Sequence, residues 1–137
     1  MPVIACYNPA HAQRPNTFYV LCKGLNSGRP MESARPNSFV VACSSPEEKE
    51  FYYWLCYGLW QAKYWYPHHH GSVFPFVTIK VFKKELAAQA AKLQGNAAWA
   101  AAVAHAVQLD RLQANLRERS KLLQLAKVAQ LRQFVSR

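Results

Sequence analysis

The sequence predicts an α+β fold: a small, mainly antiparallel three-stranded sheet packed by an aromatic helix, with a long helical C-terminal extension. Three observations predict it. Runs rich in β-branched and aromatic residues near 17–23, 38–43 and 73–82 have strand composition. Ser45-Pro46-Glu47-Glu48 is a helix start. From residue 84 onward there is no proline, one glycine, and an alanine- and leucine-rich pattern of helical period. The chain therefore divides at 83/84, into a small α+β domain (1–83) and a basic helical extension (84–137).

Each element has a local reason. Residues 1–16 are rich in proline and asparagine with little periodicity, and read as an irregular N-terminal arm. Thr17–Lys23 is the first strand. The glycine-rich segment Gly24–Pro30 is loop chemistry, and Asn37–Cys43 is the second strand, entered from Pro36. In the helix that follows, Ser45 is the N-cap, Pro46 occupies N1 and Glu48 at N3 completes a capping box. Glu47 and Glu48 also suit the positive end of the helix dipole. This helix is expected to run to Tyr66, where Pro67 stops it. Phe51, Trp54, Leu55, Gly58, Leu59 and Ala62 recur at three- and four-residue steps as its core face. Pro67–Gly71 is a connector. Ser72–Phe82 is the third strand, with Val77, Ile79 and Val81 alternating against Thr78, Lys80 and Phe82.

Residues 84–94 and 97–135 read as helices broken at Gly95-Asn96. Alanine-rich 97–106 has the highest helix propensity available. A helix over 97–135 would be about 58 Å long. Leu109, Leu112, Leu116, Leu123 and Phe134 share one side of it, but Arg119 stands where a strict heptad needs an apolar residue. Alone, such a helix is marginal in water. Self-association, folding back on the domain, or ordering on a partner are the ways it gains packing.

Composition narrows the function. Hydrophobic residues make up 51% of the chain, which excludes a disordered protein, and no apolar run reaches the ~20 residues of a membrane span. The start, Met1–Cys6, lacks the basic and apolar regions of a signal peptide. The expectation is a soluble, cytoplasmic protein that does not engage membrane. Seventeen Lys and Arg against seven Asp and Glu give a net charge of +10, and residues 86–137 alone hold eight basic and two acidic residues. That excess favours a polyanion, most simply nucleic acid; an acidic protein partner is the alternative. Cys6, Cys22, Cys43 and Cys56 contain no C-x-x-C pair and read as buried free thiols.

Motifs for chemistry are few. Lys23-Gly24-Leu25-Asn26-Ser27-Gly28-Arg29 has glycines flanked by cations, as an anion-binding loop does, but it fails the Walker spacing; a turn between strands is the competing reading. His68, His69 and His70 are adjacent, so at most two could converge on a metal, and no metal or cofactor is expected. No nucleophile–base set is spaced for catalysis, so no catalytic residue is expected. The most suggestive constellation interleaves basic and aromatic residues. Lys63, Tyr64 and Trp65, with Lys80, Lys83 and Lys84, could combine phosphate contact with base stacking. In the last helix Arg111, Arg117, Arg119, Lys121, Lys127, Arg132 and Arg137 spread around the circumference, which suits non-specific phosphate contact.

The blocks Lys23–Pro30, Pro36-Asn37-Ser38-Phe39, Leu59–Lys63 and Gly71–Val77 resemble a family of uncharacterised domains found in Bacteroidetes genomes and their mobile elements. The resemblance covers roughly residues 17–82, leaves the alanine-rich tail outside, and implies no known activity. The reading is a small, basic, non-enzymatic binding protein that contacts nucleic acid through Lys23, Arg29, the 63–84 surface and the C-terminal helix. The alternative is a protein-interaction or inhibitor module of a mobile element, acting or self-associating through that amphipathic helix.

Overall fold

The computed structural model describes residues 1–135. In chain order the elements are β1 (Val3–Cys6), β2 (Thr17–Leu21), β3 (Pro30–Met31), β4 (Ser38–Ala42), α1 (Pro46–Gln61), a 3-10 turn (Tyr66–His68), α2 (Ile79–Leu93) and α3 (Ala97–Arg132). Residues 1–96 and the chain from Ala97 onward form two compact units. The expected division at residues 83 and 84 falls inside α2.

The fold is α+β, but the sheet has four strands rather than three, in the order β1-β4-β2-β3, all neighbours antiparallel. The two additional strands lie in segments whose composition reads as arm and loop. β1 is only four residues long and follows Pro2. Its register on β4 runs from Val3 opposite Ala42 to Cys6 opposite Phe39. β3 is a two-residue edge pairing, Tyr19 with Met31 and Val20 with Pro30. Proline is tolerated there because an edge strand needs no donor on its outer side.

The expected strand at 73–82 does not form. Phe76 makes isolated bridges to Lys23 and His70, and Val77 N–H donates to Cys22 C=O at 3.0 Å. The chain then turns into α2, with Thr78 as N-cap accepting from Val81 N–H at 3.3 Å. Helix wins over strand because Phe82, Leu86 and Ala90 recur every four residues and all three are buried. The alternation of Val77, Ile79 and Val81 obscures that longer period.

One sheet face carries Ile4, Phe18, Val20, Phe39 and Val41, all buried. Against it pack Tyr52, Leu55 and Cys56 of α1 and Phe82, Leu86 and Ala90 of α2. The Phe39 and Phe82 rings lie 5.0 Å apart, and Tyr53 stands edge-on to Phe18 at 5.5 Å. The other face carries Val3, Ala5, Thr17, Tyr19, Val40 and Ala42. The connection from β1 to β2 crosses it, because both strands run parallel on either side of β4.

α1 starts at the expected N-cap, where Ser45 Oγ accepts from Glu48 N–H at 3.1 Å, but the Glu48 carboxylate closes no reciprocal box on Ser45 and instead accepts from Ser44 N–H at 3.2 Å. It ends earlier, at Gln61, because Lys63 takes a left-handed backbone (φ 57) that closes the last turn. Its core face is also rotated from the expected one: Leu55 is buried, but with Tyr52 and Cys56, while Gly58 and Ala62 are exposed. α2 stops at Leu93, and Gly95 (φ 75) turns the chain before α3 begins at Ala97.

Candidate functional site

The glycine loop after β2 is built as a turn. Gly28 N–H donates to Leu21 C=O at 2.7 Å, Ser27 N–H to Gly24 C=O at 3.1 Å, Arg29 N–H to Asn26 C=O at 3.1 Å, and Gly24 N–H to Pro75 C=O at 2.6 Å. An anion cradle needs converging unpaired amides, and these four are engaged internally. Gly28 is fixed by packing as well as by backbone: at φ 96, a Cβ on it would overlap the Trp65 indole. Lys23 and Arg29 are exposed at the two ends of this turn. The Arg29 guanidinium lies 5.3 Å from the Trp60 ring centre, a cation–π pair that the sequence spacing does not reveal.

The basic and aromatic residues of 63–84 do not form one surface. Trp65 is 1% exposed, wedged between the Gly28 turn and Phe82, whose ring centre is 5.2 Å away. It is core, and it cannot stack on a base. Tyr64 is half-buried; its hydroxyl donates to Glu85 Oε2 at 2.5 Å and accepts from Gln89 Nε2 at 3.1 Å. That hydrogen bond to Glu85, and then burial, raise its pKa above the ordinary tyrosine value. Within Lys63–Tyr66 the exposed aromatic is Tyr66, with Lys63 Nζ 5.8 Å from its ring centre.

Helix geometry gathers the lysines elsewhere. At 3.6 residues per turn, Lys83, Lys80 and Lys84 stand about 100°, 160° and 200° round α2 from Phe82, whereas Glu85 and Gln89 stand at about 300° and 340°. The three lysines thus share one exposed arc, and Glu85 points to the other flank, towards Tyr64. In a strand, Lys83 would have faced away from Lys80 and Lys84. In α3, Arg111, Arg117, Arg119, Lys121, Lys127 and Arg132 are all exposed, while Arg137 lies outside the described residues. Among the described residues the one ion pair is Lys49 with Glu32 at 2.9 Å. The rest of the cationic charge faces solvent or aromatic rings.

The three histidines pack on different partners. His68 lies 5.6 Å from Tyr64, His69 lies 5.2 Å from Tyr66, and His70 lies 5.6 Å from Phe76. Burial holds the pKa of His69 below the ordinary value. Among the described residues no group of three or more His, Cys, Asp or Glu side chains converges on a metal-sized space. The cysteines are free thiols, but only Cys56 is buried; Cys22 and Cys43 are half-buried at strand ends and Cys6 is exposed. Burial pushes the Cys43 thiol up to about 11 and that of Cys56 higher still.

These features define an α+β domain followed by a long basic helix. The chain belongs to DUF6943, a family of unknown function whose model matches residues 4–133. The match runs through α3, so the alanine-rich helix is part of the family pattern and not an appendage outside it. Nothing among the curated proteins or the solved structures matches the chain. No described helix is long and apolar enough to cross a membrane.

Proposed function

We propose that this is a non-enzymatic polyanion-binding protein that contacts nucleic-acid backbone through the Lys80, Lys83 and Lys84 arc of α2 and the basic side chains of α3. The observation that carries the reading is the state of its cations. Of seventeen Lys and Arg, all but Arg137 lie within the described residues, and among these Lys49 alone is ion-paired. Unpaired exposed lysines give up only loosely held counterions on meeting a phosphate chain. With Trp65 buried and Tyr64 held by Glu85, stacking from the Lys63–Tyr66 segment is reduced to a rim contribution from Tyr66. The contact is therefore mainly electrostatic and tolerant of sequence.

A second reading has its own observation. Leu109, Leu112, Leu116 and Leu123 are more than half exposed on one side of α3. Exposed apolar stripes of this kind mark protein-interaction surfaces. A partner helix bound there would hold by apolar contact and resist salt.

One titration separates the two. Fluorescence anisotropy of short single- and double-stranded DNA and RNA is followed with the full chain from 50 to 300 mM salt. The polyanion reading expects affinity that falls steeply with salt. It also expects the Lys80→Gln, Lys83→Gln, Lys84→Gln triple variant to reduce the log–log slope by roughly 0.7–0.9 for each phosphate that is no longer neutralised. No binding at 50 mM salt overturns it.

A further inference from the structure

The open face of the sheet carries a site of a different kind. The register stacks Val3, Ala42 and Thr17 in one row and Ala5, Val40 and Tyr19 in the next, across β1, β4 and β2. The β1–β2 connection spans this grid. It leaves from Tyr7, whose N–H donates to Ser38 C=O at 2.9 Å. It lands at Asn16, whose C=O accepts from Cys43 N–H at 3.0 Å. Between these anchors, Asn8 shapes the turn: its Oδ1 accepts from Ala10 N–H at 2.9 Å and its C=O from His11 N–H at 3.0 Å. The connection arches over the grid without filling it and leaves an open cleft of about 580 Å³ between them. That size falls within the ~300–1,000 Å³ of small-molecule pockets.

The lining has a definite chemistry. Its floor is apolar and unusually shallow, because alanine occupies two of the six grid positions. One wall is the edge-to-face pair Tyr7 and Tyr19, with ring centres 6.0 Å apart at 88°. No Asp or Glu lines the cavity, whereas His11 and Arg14 both do. Arg14 makes no ion pair among the described residues, so its guanidinium is available to an anion. A flat apolar floor, an aromatic wall and a single unpaired guanidinium together complement one kind of ligand.

We infer that the cavity between the 7–16 crossover and the open sheet face binds a small organic monoanion with an apolar body, its charge held by Arg14. The body lies over Ala5, Val40 and Ala42 against the tyrosine pair, and the carboxylate or sulfonate meets Arg14 at the roof. The site is independent of the polyanion surface, since it uses none of its residues.

The test uses the full chain and two dyes of nearly the same shape, the anionic 8-anilinonaphthalene-1-sulfonate and the uncharged N-phenyl-1-naphthylamine. Fluorescence gives the affinities and backbone amide NMR gives the place. The expected result is amide shifts confined to residues 3–19 and 40–42. Arg14→Gln should weaken the sulfonate dye about tenfold and leave the uncharged dye within about twofold. Arg14 is on an exposed segment, so this variant does not put folding at risk. Ala42→Phe, which raises the floor, should weaken both dyes. Shifts centred on the α3 leucines, or equal insensitivity of both dyes to Arg14→Gln, overturn the inference.

Discussion

Residues 1–96 and helix α3 solve the same problem, keeping a backbone ordered in water, by opposite means. The first places its large aromatic and aliphatic side chains inside: Trp65, Phe18, Phe82, Leu86, Val20 and Val41 are all nearly or fully inaccessible. The second keeps its backbone helical over 36 residues while Leu109, Leu116 and Leu123 stay open to solvent, Leu123 at 72%. Packing holds the first region, and its sequence is a set of mutual dependencies. Local propensity carries much more of the second: apart from Val103, which is buried, its alanine, leucine, glutamine, lysine and arginine favour helix residue by residue while most of their side chains stay exposed. A region of the first kind should be sensitive to single substitutions. A region of the second kind should be nearly indifferent to them, and so free to carry charge and exposed leucines for binding.

The largest effect should come from Trp65. It ties together the Gly28 turn, Tyr64 in the segment after α1, and the Phe82 face of α2. Trp65→Ala removes the largest fully buried side chain and leaves a cavity, at a cost of about 3–5 kcal/mol. Urea unfolding followed by circular dichroism should show the midpoint fall with little change in slope. A cost below about 1 kcal/mol would mean that the indole is not the centre of this core.

Gly28→Ala tests the same packing from the other side and should cost about 1–3 kcal/mol. The added methyl meets the indole ring, and the backbone there is left-handed. Gly24→Ala is the control: its backbone is also left-handed (φ 90), but no atom lies within 4 Å of its Cβ position. The difference between the two variants in thermal melting isolates the contact with Trp65 from the backbone strain.

Ser45→Ala should cost about 1 kcal/mol, since it removes the acceptor for Glu48 N–H at the start of α1. The N-cap is legible in the sequence because it is local, set by Ser45 and the three residues after it, whereas the Glu48 carboxylate settles on Ser44 and not on the cap itself. The two central strands are legible for a similar reason, as is the helix break at Gly95. What stays hidden depends on distant partners. β1 and β3 are too short to carry a pattern of their own, and they exist because β4 and β2 offer them free edges. The segment 77–82 alternates like a strand and repeats like a helix; the Thr78 cap and the buried positions Phe82, Leu86 and Ala90 decide for helix. Within Lys63-Tyr64-Trp65-Tyr66, composition cannot say which ring turns inward. The left-handed backbone at Lys63 sets that, so a candidate stacking residue, Trp65, is core, while Tyr66 remains outside. The lysines of α2 can be named from the sequence as residues, but their shared arc follows only from the helix.

The smallest effect sharpens the comparison most. Leu116→Ala and Leu123→Ala, made singly and together, should each change the stability of the dilute full chain, read by thermal melting, within the range of ordinary surface substitutions, about ±0.5 kcal/mol. Alanine replaces leucine with no loss of helix propensity, and little apolar area leaves a buried state because little was buried. Leu86→Ala in α2, the same exchange at a fully buried site, should cost about 2–5 kcal/mol. If the α3 variants instead fell in stability as far as Leu86→Ala, and did so in proportion to protein concentration, the exposed leucines would be a packed surface between copies of the chain. The contrast between the two regions would then be one of intermolecular against intramolecular burial, and the helix would belong with the core in the way it is held.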